Sequence, residues 1–266
     1  VYSQAPLISD PLIQEYSELL VYRLSEYSQV KDRNFNVLLI DDSSLNAFAA
    51  PGGVIGINGG LFLNAQNEGQ FASVITHELA HLSQRHFARN ILNSQDNNIA
   101  SVLVMVSAMA AAIATNNPTA FMAGPAFLQQ QSLRYSRLFE READRVGFNN
   151  LINADYDPSS MGEMFEQMAK LRRLAGDKIP EFLLTHPISS SRVADAFNAA
   201  DQVETPLKNK DSLNYQFIRG RLQIRYENIP LNSVRKMEGL VEKNPSNENR
   251  YALALAYKTN AQHKNA

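Results

Sequence analysis

Cysteine is absent from the chain of 266 residues. This absence excludes disulfides, thiolate metal ligands and a cysteine nucleophile together. It is compatible with an oxidising compartment without establishing one. Neither sign of charge is in large excess: the chain has 25 Lys and Arg and 27 Asp and Glu, and no block of like charges stands out. We therefore expect no nucleic-acid partner and no polybasic membrane patch.

Long hydrophobic runs are scarce as well, with one segment that requires a closer look. Residues 99–115 read "IASVLVMVSAMAAAIAT" and carry no charge. A bilayer span needs roughly 20 apolar residues, and this segment is shorter and rich in alanine and serine. It predicts a buried or partly covered helix. A hairpin that covers the site or makes peripheral contact with a membrane is the alternative.

The apolar content of 44% is ordinary for a globular protein, and the length suits one catalytic domain with a small appendage. The chain begins with Val1, which we interpret as a mature or trimmed form that no longer carries a signal peptide. Helical patterns dominate and three short strand patterns occur between residues 35 and 62. The sequence thus predicts an α+β fold that is mainly α, with a small β-sheet.

Several element boundaries can be predicted from turn and cap residues. Ser9 or Asp10 caps a first helix that begins with Pro11. Gly52 and Gly53 are predicted turn residues between two short strands. The stretch "EGQFASVITHELAHLSQRHFARNIL" reads as one long helix.

That helix carries two histidines four residues apart, His77 and His81, on either side of Glu78. Residues at this spacing lie on one face of a helix, so both imidazoles can bind one zinc ion. Glu78 lies beside them, where it can take a proton from water. The alternative is a surface helix with two hydrated histidines.

A hydrolytic zinc site needs a third protein ligand, and no histidine follows at the spacing of the longer H-E-x-x-H-x-x-G-x-x-H motif. The stretch "FEREADRVG" offers Glu140, Glu142 and Asp144. Glu140 and Asp144 share a helix face, and Glu142 points away from both. We predict Glu140 as the ligand and Asp144 as the acceptor of an N–H from a ligating histidine. Glu142 is expected to be solvated or salt-bridged.

The C-terminal region consists of recurring helical patterns after a polar linker. After the polar linker "QVETPLKNKDS", helical patterns recur at about the length of a helical hairpin, with small residues at Gly220 and Ala256. We interpret residues 1–205 as a metalloprotease domain and residues 206–266 as tetratricopeptide-like helices. A plain helical tail is the alternative. The chain ends inside a predicted repeat, so we expect this region to be truncated.

These motifs together resemble a known family. "HELAH", the apolar interval and "SRLFEREADRVG" resemble the gluzincin metalloproteases that include HtpX and the CAAX prenyl proteases. "LTHPISSSRVADA" and the repeat-like tail are similar to the periplasmic BepA type of Gram-negative bacteria. The resemblance covers nearly the whole chain. It implies zinc ligands at His77, His81 and Glu140 and a general base at Glu78.

His186 gains a role from the resemblance. By itself, a histidine before Pro187 is most simply a solvated loop residue. In the resembled proteins the histidine of "THP" can occupy the fourth position of zinc and keep the protease latent. The resemblance therefore implies His186 as a metal ligand at rest, with hydrogen-bond donation to a transition-state oxyanion as its catalytic alternative.

The implied function is zinc-dependent endopeptidase activity on misfolded or stalled outer-membrane proteins in the periplasm. The tetratricopeptide-like region would dock to the outer-membrane assembly machinery. "LNAFAAPGG" would be an edge strand that binds extended substrate. A zinc-containing chaperone or assembly factor is the second hypothesis, and a metal-free helical scaffold is the third. His86 and His263 match no ligand position and are expected on the surface.

Overall fold

A computed structural model describes residues 6–93, 137–176, 178–204 and 211–262. Two sequence predictions lie outside the described residues: the apolar segment 99–115 and the surface position of His263. Among the described residues, no helix combines the length and the apolarity needed to cross a bilayer.

The described part of the chain is mainly helical and contains a three-stranded sheet, as predicted. The strands are β1 (Asn36–Ile40), β2 (Ala47–Ala50) and β3 (Val54–Asn58). The helices that precede or flank the sheet are α1 (Pro11–Glu26), α2 (Gly59–Asn64), α3 (Glu68–Ser83) and α4 (His86–Asn93). The later helices are α5 (Arg137–Asn153), α6 (Ser159–Leu174), α7 (Glu181–Thr185), α8 (Ser190–Asp201), α9 (Leu213–Arg225), α10 (Pro230–Lys243) and α11 (Asn247–Thr259).

Local capping explains where the first helix begins. The Asp10 side chain accepts a hydrogen bond from the backbone N–H of Leu12, and Pro11 occupies the first helical position. The cap satisfies a donor that the helix leaves without a partner, while proline there removes another. The predicted start of α1 is confirmed.

The sheet has the order β1-β3-β2, with β1 parallel and β2 antiparallel to β3. β2 is therefore an edge strand within the described sheet, in agreement with the sequence interpretation. Gly52 (φ 85°) and Gly53 (φ 76°) form the turn that joins β2 to β3. Both have backbone conformations that favour glycine, which confirms the predicted turn.

The main hydrophobic core lies between the sheet, α3 and the helices around them. Phe62 and Phe71 pack with ring centroids 4.3 Å apart, and Tyr16 and Tyr215 surround them. The Tyr215 hydroxyl donates to the carbonyl oxygen of Ala65 at 2.8 Å. Because Tyr215 belongs to α9, the first helix after the polar linker is anchored in this core.

Two helices approach each other unusually closely, and their crossing positions the site. A Cβ atom at Gly147 of α5 would lie 3.0 Å from both the nitrogen and the Cα of His77 in α3. Glycine therefore permits a separation that a side chain would prevent. The crossing brings the acidic face of α5 to the histidine face of α3.

The prediction of one long helix from residue 68 onward is wrong. α3 ends at Ser83, and Arg85 adopts a left-handed conformation with φ 54° before α4 begins at His86. A non-glycine residue in this region breaks the regular hydrogen-bond ladder and redirects the chain. The break turns His86 back toward α3.

The three C-terminal helices pack on one another through small residues. Gly220 of α9 lies against Ala252 of α11, and a separate apolar cluster includes Ile224, Met237 and Ala256. Polar contacts also join α9 to the N-terminal region, since Arg221 pairs with Asp10. The tetratricopeptide character of these helices stays a prediction.

Candidate metal centre

Four side chains from three separate segments converge in the interior. His77 and His81 extend from α3, Glu140 extends from α5, and His186 follows α7. One ligand-type atom from each residue lies within 4.8 Å of the others, and all four residues are buried. The structure therefore brings together all four residues that the sequence and its resemblance proposed as metal ligands.

The distances within this group suit a shared cation. His77 Nε2 lies 3.0 Å from His81 Nε2 and 3.4 Å from His186 Nδ1. Glu140 Oε1 lies 3.0 Å from His186 Nδ1 and 3.4 Å from His81 Nε2. Ligand atoms about 2.0–2.1 Å from a tetrahedral zinc ion lie roughly 3.3–3.4 Å apart. Nitrogen and carboxylate donors at this spacing fit zinc well.

On one side of the group, His77 is held by a charged network. His77 Nδ1 lies 3.0 Å from Asp144 Oδ1, where the sequence placed an acceptor. Arg192 of α8 binds the same carboxylate with two hydrogen bonds of 2.7 Å, from Nε and Nη2. Its Nη1 lies 2.8 Å from Glu140 Oε2. One guanidinium therefore connects the predicted ligand carboxylate with the carboxylate behind His77.

Sequence reasoning missed Arg192. The side chain is 5% exposed, packs over the ring of Phe165 and donates from Nη1 to the carbonyl oxygen of Pro187. It thus also fixes the loop that carries His186. The available signal was its position, six residues after His186 in the motif "THPISSSR".

Electrostatics in this network follow from burial and charge pairing. Burial alone would raise the pKa of Asp144. His77 and Arg192 outweigh that effect, so the pKa lies below its ordinary value. Burial likewise opposes ionisation of Glu140, yet His186, His81 and His77 hold its pKa well below the ordinary value. Both carboxylates are therefore anionic at neutral pH and available as acceptors or ligands.

Glu78 lies beside the group at the edge of the sheet. Its Oε2 accepts a hydrogen bond of 3.0 Å from the backbone N–H of Ala49 in β2, and its Oε1 lies 3.6 Å from His186 Nε2. Burial raises the pKa of Glu78, with Glu140 adding to the rise and the histidines opposing it. A carboxylate whose pKa is raised binds a proton more readily, as a general base must.

His186 is not a solvated loop residue. It is 2% exposed, and its ring stacks on Phe182 with centroids 4.6 Å apart. Its Nδ1 faces Glu140 and His77, and its Nε2 faces Glu78. The imidazole thus lies between the predicted ligands and the predicted base.

The expected surface position of His86 is wrong, because this residue is fully buried. The break at Arg85 directs its ring inward, where His86 Nδ1 lies 2.9 Å from His81 Nδ1. His86 Nε2 lies 3.0 Å from Glu142 Oε2, and Arg89 binds the same oxygen at 2.8 Å. Glu142 is not one of the four grouped residues, and it is salt-bridged, which is one of the two states predicted for it.

The chain is similar in sequence to a known peptidase family and to two bacterial proteins. The family model of peptidase family M48 matches residues 11–200. The beta-barrel assembly-enhancing protease of Escherichia coli (strain K12) is 35% identical over 222 residues, which cover 82% of this chain and 45% of that protein. A Vibrio cholerae protein provisionally given the same name is 38% identical over 231 residues, which cover 84% of this chain and 46% of that protein.

More distant relatives include a eukaryotic enzyme. The mitochondrial metalloendopeptidase OMA1 of Arabidopsis thaliana is 30% identical over 165 residues, which cover 62% of this chain and 31% of that protein. The chain spans a little under half the length of the bacterial relatives named above.

Proposed function

Because the chain belongs to peptidase family M48, we propose that it is a zinc-dependent endopeptidase. The observation that carries this proposal is the convergence of His77, His81 and Glu140 around one point, with Glu78 beside them. Three protein ligands and an adjacent carboxylate are the parts that a hydrolytic zinc site requires.

In this proposal His77, His81 and Glu140 hold the ion. When bound, zinc supplies Lewis-acid polarisation of the scissile carbonyl and makes a water molecule more acidic. Glu78 accepts a proton from the attacking water and passes it to the nitrogen of the leaving amine. Its raised pKa supports the first half of this transfer, the acceptance of the proton.

The position of Glu78 also supports an extended substrate. Its carboxylate is bonded to the backbone of β2, the edge strand of the described sheet. A peptide that added to this edge by main-chain hydrogen bonds would pass next to the base. Such binding needs a free, unfolded backbone.

We further propose that His186 keeps the enzyme latent. Its imidazole lies among the ligand atoms and close to Glu78, where substrate and water would otherwise bind. Release of the loop after α7 would expose this position. Donation from His186 to the transition-state oxyanion is the alternative role once the loop has moved.

Stalled or misfolded outer-membrane proteins are the proposed substrates, and the periplasm of a Gram-negative bacterium is the proposed location. Both rest on the relatives named beta-barrel assembly-enhancing protease in Escherichia coli and Vibrio cholerae. Helices α9–α11 would provide the tetratricopeptide-like docking surface for the assembly machinery. Peripheral contact with a membrane belongs to the same proposal.

Zinc content and cleavage of an unfolded β-barrel protein test the enzymatic proposal. The wild type is expected to bind one zinc ion, and Glu78→Gln is expected to keep the ion and lose cleavage. Glu166→Gln, which changes an exposed glutamate of α6, provides the matched control. Absence of zinc in the wild type, or full activity of Glu78→Gln, would contradict the proposal.

Latency is tested by His186→Ala, with metal content and cleavage measured together. We expect more cleavage than in the wild type with zinc retained. Loss of zinc would instead identify His186 as a structural ligand and remove the switch.

A chaperone or assembly factor is the second candidate, favoured by the presence of a fourth protein donor in the group. Structural zinc sites have four protein ligands, whereas catalytic sites keep a position open. Glu78→Gln separates the candidates in a strain that lacks the protein. Full recovery of outer-membrane protein assembly by this variant would support holding over cutting.

A further inference from the structure

We propose that His86 is a positioning residue that fixes His81 in the tautomer required for metal binding, with Glu142 fixing His86 in turn. The contacts run in one line from His81 Nδ1 to His86 Nδ1 at 2.9 Å and from His86 Nε2 to Glu142 Oε2 at 3.0 Å. This inference rests on the proposed metal site.

The direction of hydrogen bonding follows because a neutral imidazole carries one proton, on either Nδ1 or Nε2. A histidine that binds metal through Nε2 must carry its proton on Nδ1. His81 therefore donates from Nδ1, and the acceptor at that distance is His86 Nδ1. His86 must then carry its own proton on Nε2, where the Glu142 carboxylate accepts it. Each of the two hydrogen bonds then joins one donor nitrogen to one acceptor atom.

Packing holds His86 in this orientation. The ring is fully buried and stacks on Phe139 with centroids 4.7 Å apart and planes 12° apart. Phe139 directly precedes Glu140 in α5, so the stack is tied to the helix that carries the third predicted ligand. The stack fixes the plane of the ring, and a half-turn flip that keeps this plane would break both nitrogen contacts.

His86 does not act as another ligand. Among the described residues, the group whose donor atoms share one point contains His77, His81, Glu140 and His186. The nitrogen of His86 that lies nearest to this group faces Nδ1 of His81, whereas the ligand-type atom of His81 is Nε2. His86 therefore acts through His81.

Nitrogen-15 NMR of the histidine side chains in the zinc-loaded wild type tests the tautomers directly. We expect protons on Nδ1 of His81 and on Nε2 of His86, and a zinc-bound Nε2 on His81. A proton on His86 Nδ1 would overturn the inference. This measurement needs no variant and no protease activity.

Substitution of His86 tests how much its hydrogen bond to His81 contributes to zinc affinity. Leucine at position 86 removes the acceptor, whereas asparagine can place a carbonyl oxygen near the position of Nδ1. We expect His86→Leu to weaken zinc binding by about 10–100-fold in chelator competition. The same substitution is expected to shift the visible spectrum of the cobalt-substituted protein. His86→Asn should restore most of both properties.

The outcomes distinguish this inference from the proposed function. If the wild type binds no zinc, the proposed function fails. If the wild type binds zinc and His86→Leu binds it equally well, only the positioning role fails. Equal loss in His86→Leu and His86→Asn would also overturn the inference, because it would identify ring packing rather than hydrogen bonding as the cause.

Discussion

His77 and His81 lie one turn apart on α3, yet the protein supports them in different ways. Behind His77 is a carboxylate, Asp144, fixed by the guanidinium of Arg192, whose side chain is 5% exposed. Behind His81 is another imidazole, that of His86, and the carboxylate Glu142 follows one step farther away. One predicted ligand therefore rests on an ion pair whose arginine is buried and whose carboxylate is 17% exposed. The other rests on a chain that ends in a pair nearer the surface.

This difference should separate effects on folding stability from effects on metal affinity. Removal of one partner from a buried charge pair is destabilising, because the other charge is left buried without full compensation. The chain behind His81 ends in the Glu142–Arg89 pair, whose side chains are 25% and 41% exposed. Exposed pairs contribute little to stability. Changes at Asp144 should therefore damage fold and metal binding together, whereas changes at Glu142 should affect mainly metal binding.

Asp144→Asn should have the largest effect on both stability and metal binding. It removes the charge that pairs with Arg192 Nε and Nη2 but leaves Glu140 as a carboxylate partner, so the metal-free protein should lose about 2 kcal/mol of unfolding free energy. Zinc affinity should fall by about 10–100-fold. Urea denaturation with and without zinc measures both quantities. A variant as stable as the wild type would show that the ion pair is replaceable.

Acid should weaken the ion pair between Asp144 and Arg192 in the metal-free protein. The folded pKa of Asp144 is lowered below its ordinary 3.8, so its contribution to stability is present above that value and is lost as the pH falls through the folded pKa. Each proton linked to unfolding contributes up to about 1.4 kcal/mol per pH unit. We expect a flatter decline below pH 3.8 in Asp144→Asn, measured by urea denaturation at several pH values. Parallel declines in both proteins would contradict this assignment.

Glu142→Gln should have an intermediate effect that appears in metal binding. The substitution weakens the acceptor that fixes His86, and zinc affinity should fall by up to about 10-fold. Because the carboxylate is partly exposed, the metal-free protein should change in stability by less than about 1 kcal/mol. Chelator competition and urea denaturation test these two expectations. A large loss of stability would place this side of the site in the same class as the His77 side.

Arg89→Met should have the smallest effect. It removes the second partner of Glu142 while keeping an apolar side chain against Phe139. Stability should change by less than about 1 kcal/mol, and zinc affinity should match the wild type. If chelator competition instead shows the loss expected for Glu142→Gln, the arginine and not the imidazole determines the orientation of this carboxylate.

The sequence could predict those parts of the site that depend on helical spacing. His77 and His81 share a face because they are four residues apart, and Glu140 and Asp144 do so for the same reason. The structure brings both pairs together at the crossing of α3 and α5. The cap at Asp10 and the turn at Gly52 and Gly53 were also predictable, because these residues determine local backbone conformation.

Other parts of the site depend on backbone events that spacing does not encode. The left-handed conformation of Arg85 ends α3 and turns His86 inward, but arginine carries no signal for that conformation. Arg192 reaches Asp144 from α8, 48 residues later in the chain, and its partner follows from tertiary packing alone. The periodicity of a single helix therefore shows which residues can cooperate, but not what lies behind them.

The contact between Gly147 and the backbone of His77 has a consequence for the choice of ion. Donor identity is usually considered the main determinant of which metal a protein accepts, but cavity dimensions also discriminate among cations. Here those dimensions depend on how near two helical backbones can come, and a Cβ atom at position 147 would lie 3.0 Å from the His77 backbone. Where cavity size discriminates among cations, a residue that offers no donor atom would therefore take part in that discrimination.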